Sequence, residues 1–298
     1  MEGATIPFRR ALDVAAAIFA AMGTVDFILN LAGLLLWLHW RSDRFDPLVR
    51  RRPATLMGTL RPAAPQKLQR WYFIAFIVCM LVFRAVIYRW VGATLPKVWL
   101  AQLDLGTTEL AFHSNQWGQI MIYSFLSFGL MLWIFHLWML GLSLLAGPLP
   151  IHGLVTIPLG RIDRWPAWAK AVLPLVVTAL LWWLLTWLLL RLGVVTRLSP
   201  AGRFQQSVVL GASTYLLWQY PLGIILLLHL LNSYIYFGRH PIWKYINETA
   251  HTILQPLRRV PLQTGKVDFA PLVGIVIIFL VAHFAEDGLA RLYHHVSF

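Results

Sequence analysis

The stretch that decides the fold begins with Arg239-His-Pro-Ile-Trp-Lys-Tyr-Ile-Asn-Glu-Thr249 and continues through Gln255-Pro-Leu-Arg-Arg-Val-Pro261 to Gly265-Lys-Val-Asp-Phe-Ala-Pro271. It lies between two long apolar runs and carries most of the charge in that part of the chain. Its prolines, basic residues and glycine predict a polar linker that joins two membrane-spanning helices.

The rest of the chain has the composition of a membrane protein. Apolar residues make up 59% of it and charged residues 12%, whereas soluble domains carry about a quarter charged residues. Six apolar runs reach the roughly 20 residues that a bilayer-spanning helix needs. They lie near 13–38, 71–90, 119–145, 168–194, 206–237 and 271–290. The sequence therefore predicts an all-α transmembrane fold with six transmembrane helices.

The linker after the fifth run has its own helical pattern. Between Pro241 and Pro256, one face of a helix would collect the apolar residues Ile242, Trp243, Ile246, Ala250, Ile253 and Leu254. Such an amphipathic helix lies in the headgroup plane of a bilayer and does not cross it. Asp268 then precedes the last span, where a carboxylate stabilises a helix N-terminus.

Positive charge is concentrated in three linkers. Residues 41–70, 149–170 and 239–268 hold 16 of the 25 Lys and Arg residues. The positive-inside rule places all three linkers in the cytoplasm and both termini outside. We expect a basic platform that contacts anionic lipid headgroups and other integral membrane proteins; nucleic-acid binding is disfavoured. Its predicted residues are Arg50, Arg51, Arg52, Arg161, Arg164, Lys244, Arg258 and Arg259.

The three linkers also share a sequence pattern. Each opens with Pro followed by Leu or Ile, and each has a Thr eight residues after that Pro. The pairs are Pro47 and Thr55, Pro148 and Thr156, and Pro241 and Thr249. This self-similarity predicts three helix–basic amphipathic linker–helix repeats, over 1–95, 96–198 and 199–298.

The third linker resembles the YggT family of small bacterial and plastid membrane proteins. The resemblance is strong over about 239–285 and weak over 35–90 and 136–192, with His240 where Asn is usual and Ala270 where Ser is usual. The matching positions are Pro241, Pro256, Arg258, Arg259, Pro261, Gly265, Asp268 and Pro271.

The resemblance implies a location and a class of role. It implies a multi-pass protein of the bacterial inner membrane, with no catalytic activity or cofactor common to the family. Relatives are associated with assembling membrane complexes, including cytochrome b6 maturation, and with envelope or division functions. We therefore expect a non-enzymatic scaffold, assembly factor or accessory subunit of a larger membrane complex.

Two ionisable residues lie at matching depth in the first two spans. Asp26 lies 12 residues before Leu38, and Arg84 lies 12 residues after Tyr72. At 1.5 Å per residue, both come to roughly 18 Å from the cytoplasmic face. We expect them to form an intramembrane ion pair, with Asn30 one turn away. Fixing helix register is the favoured role, and a proton relay is the alternative.

Three intramembrane histidines define the second hypothesis. His136 and His229 lie 12 positions before the prolines of their linkers, and His283 lies in the last span. They could hold haem b or a pigment in an electron-transfer subunit, although histidines hydrogen-bonded between helices are favoured and a bound lipid is another option. No metal-ligand motif is present. A second alternative is a transporter or channel that uses Asp26, Arg84 and helices broken at Pro174 and Pro221.

Overall fold

The computed structural model describes residues 5–42, 71–94, 100–105, 109–145, 158–195, 199–235, 241–259, 262–264 and 267–295. The α-helices are α1 (Thr5–Ser42), α2 (Trp71–Thr94), α3 (Trp117–Leu145), α4 (Ala167–Arg191), α5 (Pro200–Ser213), α6 (Gln219–Tyr234), α7 (Pro241–Ile253) and α8 (Ala270–His295). Short 3-10 helices occupy Gly160–Arg164, Thr214–Trp218 and Gln255–Arg259. Two small sheets pair β1 (Leu100–Asp104) with β2 (Glu109–His113), and β3 (Gln263–Thr264) with β4 (Val267–Asp268).

Six helical segments in the described part of the chain are long and apolar enough to cross a membrane. They are Gly23–Arg41, Trp71–Gly92, Trp117–Leu145, Ala167–Arg191, Pro200–Tyr234 and Ala270–Tyr293. The predicted six-span helical fold is confirmed. The fifth span consists of α5, the 3-10 helix Thr214–Trp218 and α6 in succession.

The chain forms two compact units. The N-terminal unit comprises Met1–Gln102 and Ala111–Leu132, and the C-terminal unit comprises Leu103–Leu110 and Trp133–Phe298. The division into three repeats stays a prediction.

A small residue sets the packing of the N-terminal unit. A Cβ at Gly33 of α1 would lie 2.6 Å from Cε2 of Phe128 and 3.1 Å from Cε of Met80. Phe128 and Met80 belong to the cluster that forms around buried Ile77 and Leu81. Because hydrophobic burial supplies no driving force between helices in lipid, close packing at small residues is a main source of association.

In the C-terminal unit, α4 and α5 approach each other at Gly211. A Cβ there would lie 2.6 Å from the backbone oxygen of Leu175 and 3.4 Å from Cβ of Ala179. A backbone atom cannot move aside as the end of a side chain can, so this contact depends on glycine.

We predict that Gly211→Ala lowers the free energy of unfolding by about 1–3 kcal/mol, the usual cost of overpacking. Unfolding of the full-length protein in detergent micelles measures the change. Gly129→Ala is the matched control, because a Cβ at mid-span Gly129 meets nothing within 4 Å. That variant should be neutral or stabilised by up to about 1 kcal/mol through helix propensity. Equal stability of both variants would contradict the close-approach argument.

The amphipathic helix of the third linker is present as α7. Its residues Ile246 and Ala250, with Leu254 just beyond its end, form a buried cluster with Ile225 and Leu226 of α6. Gly274 of α8 lets this cluster close, since its Cβ would lie 2.9 Å from Cδ2 of Leu254. Packing on α6 and α8 therefore holds α7 by its apolar face.

The fifth span is interrupted where Pro221 follows the 3-10 helix Thr214–Trp218. Pro221 has no N–H, so the carbonyl of Leu217 cannot receive a hydrogen bond from it. The indole Nε1 of Trp138 donates to this oxygen at 3.0 Å, and Nε1 of Trp218 donates to the carbonyl of Leu137 at 3.0 Å. Two reciprocal indole bonds thus tie α3 to the interruption. Within a bilayer such backbone groups need a protein partner.

The predicted break at Pro174 is wrong, because α4 runs through this residue without interruption. Pro174 is fully buried. The hydroxyl of Tyr215 donates to the carbonyl of Ala171, within one turn of the proline, at 2.5 Å. Helix α4 thus tolerates a proline in its interior, as membrane-spanning helices often do.

We predict that Trp138→Phe lowers the free energy of unfolding by about 1–3 kcal/mol, because the half-buried Leu217 carbonyl loses a donor within a membrane span. Thermal unfolding in detergent provides the measurement. Trp168→Phe is the control, since Trp168 is largely exposed and should tolerate the same change. If the two variants unfold at the same temperature, the indole bond contributes nothing.

Candidate functional site

A buried arginine lies at the centre of the N-terminal unit. Arg84 has no exposed surface. Its Nη1 lies 3.2 Å from Oδ1 of Asp26 and donates to Oδ1 of Asn30 at 2.8 Å. Its Nε donates to Oγ of Ser124 at 2.9 Å, and its Nη2 donates to the Ser124 carbonyl. The structure therefore brings together the two charges that the sequence placed at equal depth.

Helix α3 completes the arrangement from a third side. The hydroxyl of Tyr123 donates to Oδ2 of Asp26 at 2.5 Å, and Nδ2 of Asn30 donates to Oγ of Ser127 at 2.9 Å. Oγ of Ser124 donates to the carbonyl of Leu81 at 2.7 Å. We call the set Asp26, Asn30, Arg84, Tyr123, Ser124 and Ser127 the polar cluster. It links α1, α2 and α3 through side-chain hydrogen bonds.

The geometry of the polar cluster favours a structural role. One carboxylate balances one guanidinium, and each guanidinium nitrogen of Arg84 has an acceptor. Burying a charge is tolerated only when it is paired and hydrogen-bonded in this way. The side chain of Asp26 is 15% exposed, so the ion pair is almost completely shielded from solvent. Such a cluster fixes the rotation and depth of three helices at once.

Reasoning from the sequence missed the contribution of α3. Tyr123, Ser124 and Ser127 stand at helical spacing within an otherwise apolar run, which places them on one face. A polar face on an apolar helix could have indicated that α3 packs against polar side chains. Only the tertiary structure shows that this face contacts Arg84 and Asp26.

We predict that Arg84→Gln destabilises the protein by about 3–5 kcal/mol, because the Asp26 carboxylate is left buried without its cation. The double variant Asp26→Asn/Arg84→Gln should recover part of this loss by removing both charges. Membrane abundance and unfolding in detergent measure both effects.

Arg191→Gln is the control for this prediction. Arg191 is exposed at the end of α4 and lies over the Trp187 ring, so its loss should cost less than about 1 kcal/mol. A double variant as unstable as Arg84→Gln would contradict the charge-balance argument.

A second region of interest is the surface that α7 and the linkers present. Lys244 is 67% exposed and lies 3.8 Å from Glu248 one turn along α7. In the second linker, Arg161 and Arg164 are exposed. Of the other predicted platform residues, Arg258 and Arg259 belong to the 3-10 helix Gln255–Arg259, and Arg50, Arg51 and Arg52 lie outside the described residues.

Two polar contacts fix the ends of these linkers. Nζ of Lys170 lies 3.5 Å from Oδ1 of Asp163 and donates to Oγ of Ser143 at 2.7 Å. In the third linker, the backbone N–H of Ala270 donates to Oδ1 of Asp268 at 2.9 Å. Asp268 thus stabilises the start of α8, in the position that the sequence indicated.

Tyr245 lies on the side of α7 that packs against the buried cluster of α6 and α8. Burial raises the pKa of its phenol, and the neighbouring Thr249 side chain lowers it by a smaller amount. Tyr245 therefore stays protonated at neutral pH and adds no charge to the platform.

The three candidate haem histidines have different surroundings. His229 lies between α6 and α7, with its Nδ1 2.9 Å from Oδ1 of Asn247. His136 meets the Phe135 ring edge-on at 5.9 Å between ring centres. The ring of His283 is 68% exposed and 4.0 Å from Asp287. The predicted role of these histidines as haem or pigment ligands stays a prediction.

A group of three or more His, Cys, Asp or Glu side chains able to hold a metal ion is absent from the described residues.

The fold and these sites define a multi-pass α-helical membrane protein with a buried ion pair and an amphipathic surface helix. The CCB3/YggT family model matches residues 212–288, so this part of the chain is similar to that family. The matched region contains α6, α7 and most of α8, and it includes the linker whose motif predicted the family. Comparisons with curated proteins and with solved structures found no significant match.

Proposed function

We propose that this protein is a non-enzymatic scaffold that assembles, or serves as an accessory subunit of, a larger membrane protein complex. In this proposal the three basic linkers form a cytoplasmic platform in the inner membrane. The platform contacts anionic headgroups and the charged surfaces of partner membrane proteins.

The observation that carries the proposal is the way α7 is held. Its apolar side packs on α6 and α8 through Ile246 and Ala250, whereas Lys244 and Glu248 stay exposed. A helix held by its own protein does not need to insert into lipid. Its polar face is then a fixed surface that is available to a partner.

The membrane-spanning surface offers a second kind of contact. Helix α4 exposes bulky aromatic and aliphatic side chains along one side, among them Trp183, Leu184 and Trp187. Lipid chains can cover such an apolar surface, and a partner helix can pack against it equally well. Aromatic residues are also enriched at the cores of protein interfaces. This surface supports lateral association within the bilayer.

The family supports the same class of role. The CCB3/YggT match lies on α6, α7 and α8, the helices that hold the exposed polar face of α7. The resemblance and the exposed polar face of α7 therefore coincide in one part of the chain.

A haem-holding subunit remains the second candidate. His229 favours it, since its ring is oriented by Asn247, and oriented imidazoles are what axial ligands require. An optical spectrum of the purified protein tests it, because a bound haem b gives a Soret band. Solute flux in proteoliposomes tests the transporter alternative in the same preparation.

We predict that the double variant Arg161→Gln/Arg164→Gln weakens partner association. If each removed charge costs about 1 kcal/mol at an anionic surface, the two changes reduce binding roughly thirtyfold. Cross-linking in native membranes, native gel electrophoresis and quantitative mass spectrometry of the captured proteins measure the loss.

Arg291→Gln is the matched control, because Arg291 is an exposed cation on α8 outside the three linkers. It should leave the complex intact. Migration of the wild-type protein as a single chain in native membranes, with no cross-linked partner, would refute the scaffold. If the double variant and the Arg291→Gln control lose partner association equally, the proposed basic platform is refuted.

A further inference from the structure

Two histidines meet where α6 and α7 pack against each other. The ring centres of His229 on α6 and His251 on α7 are 5.2 Å apart, and the rings are inclined at 67°. His251 is exposed and His229 is half-buried. The pair is therefore held by the packing of two helices and is accessible from the surface.

Hydrogen bonds to neighbouring side chains determine which ring nitrogen of His229 can bind a ligand. Nδ1 of His229 lies 2.9 Å from Oδ1 of Asn247, and Nδ2 of Asn232 donates to the same oxygen at 3.3 Å. An amide oxygen only accepts hydrogen bonds, so in the neutral imidazole Nδ1 carries the proton and Nε2 keeps its lone pair. Metal-binding histidines commonly donate their other ring nitrogen to a carbonyl or carboxylate oxygen in this way.

The distance between the centres of the His229 and His251 rings is suitable for two imidazoles that bind one metal ion. Two imidazoles bound to one tetrahedral ion at nitrogen–metal distances of roughly 2.0–2.1 Å place their ring centres about 5 Å apart. The observed 5.2 Å matches this value. A haem between the rings would need a wider gap, since its iron binds one imidazole on each face.

We propose that His229 and His251 bind a divalent transition-metal ion of the class that prefers imidazole, such as Zn²⁺ or Cu²⁺. Asn247, itself held by Asn232, positions His229 for this role. The protein supplies two nitrogen ligands and leaves the other coordination positions to water.

The site would fasten α7 to α6 when the metal is bound. Their packing is otherwise apolar, through Ile246 against Ile225 and Leu226, with the Asn247 bonds beside it. A metal shared by the two helices would therefore control how firmly the polar face of α7 is held. The binding itself is independent of the scaffold proposal, and its test does not involve a partner protein.

Zn²⁺ titration of the full-length protein tests the site, using calorimetry and metal analysis in detergent with no polyhistidine tag. We expect one ion per chain. His229→Gln and His251→Gln should each abolish this binding, and Asn247→Ala should weaken it roughly 10- to 100-fold. His113→Gln is the control, because His113 is exposed in the N-terminal unit and should leave binding unchanged.

Two results would overturn the site. One is a wild-type protein that binds no Zn²⁺, and the other is wild-type affinity and stoichiometry in the two histidine variants. If those variants fail to fold, electron paramagnetic resonance of the wild-type protein with one equivalent of Cu²⁺ decides the question. Coupling to two imidazole nitrogens supports the site, and coupling to one or none refutes it.

Discussion

The burial of Arg84 is the constraint on which the N-terminal unit depends. A guanidinium in the middle of a bilayer keeps its positive charge, and it cannot reach water. It must find a carboxylate and enough oxygen acceptors at the same depth. Asp26 supplies the charge, and Asn30 and Ser124 supply the remaining acceptors. Because these groups come from three helices, satisfying one side chain fixes the relative depth and rotation of all three.

The C-terminal unit meets a related requirement through its backbone. Pro221 deprives Leu217 of its helical hydrogen bond, and Trp138 of α3 provides the donor. The reciprocal bond from Trp218 to Leu137 shows that the interruption is built into the contact with α3. Gly211 brings the α4 and α5 backbones together nearby in the same unit. An interrupted helix thus becomes a rigid part of the fold.

The region that matches the CCB3/YggT family model, residues 212–288, includes both the interruption at Pro221 and the surface helix. Helix α7 buries its apolar residues against α6 and α8 and leaves charged residues outside. The same packing brings His229 and His251 together at the edge of the contact. The two histidines therefore lie on the same helix pair as the exposed charges of α7.

The sequence by itself determined the six spans, because apolar runs of this length have no other stable environment. It also determined the amphipathic α7, through the spacing of its apolar residues, and the matching depth of Asp26 and Arg84, through the constant rise of a helix. Only the tertiary structure decided that Tyr123, Ser124 and Ser127 complete the polar cluster and that Trp138 serves the Leu217 carbonyl. It alone kept α4 continuous through Pro174 and set His229 against His251. Helical periodicity records which face a residue occupies, but the residue that meets that face depends on how distant helices pack.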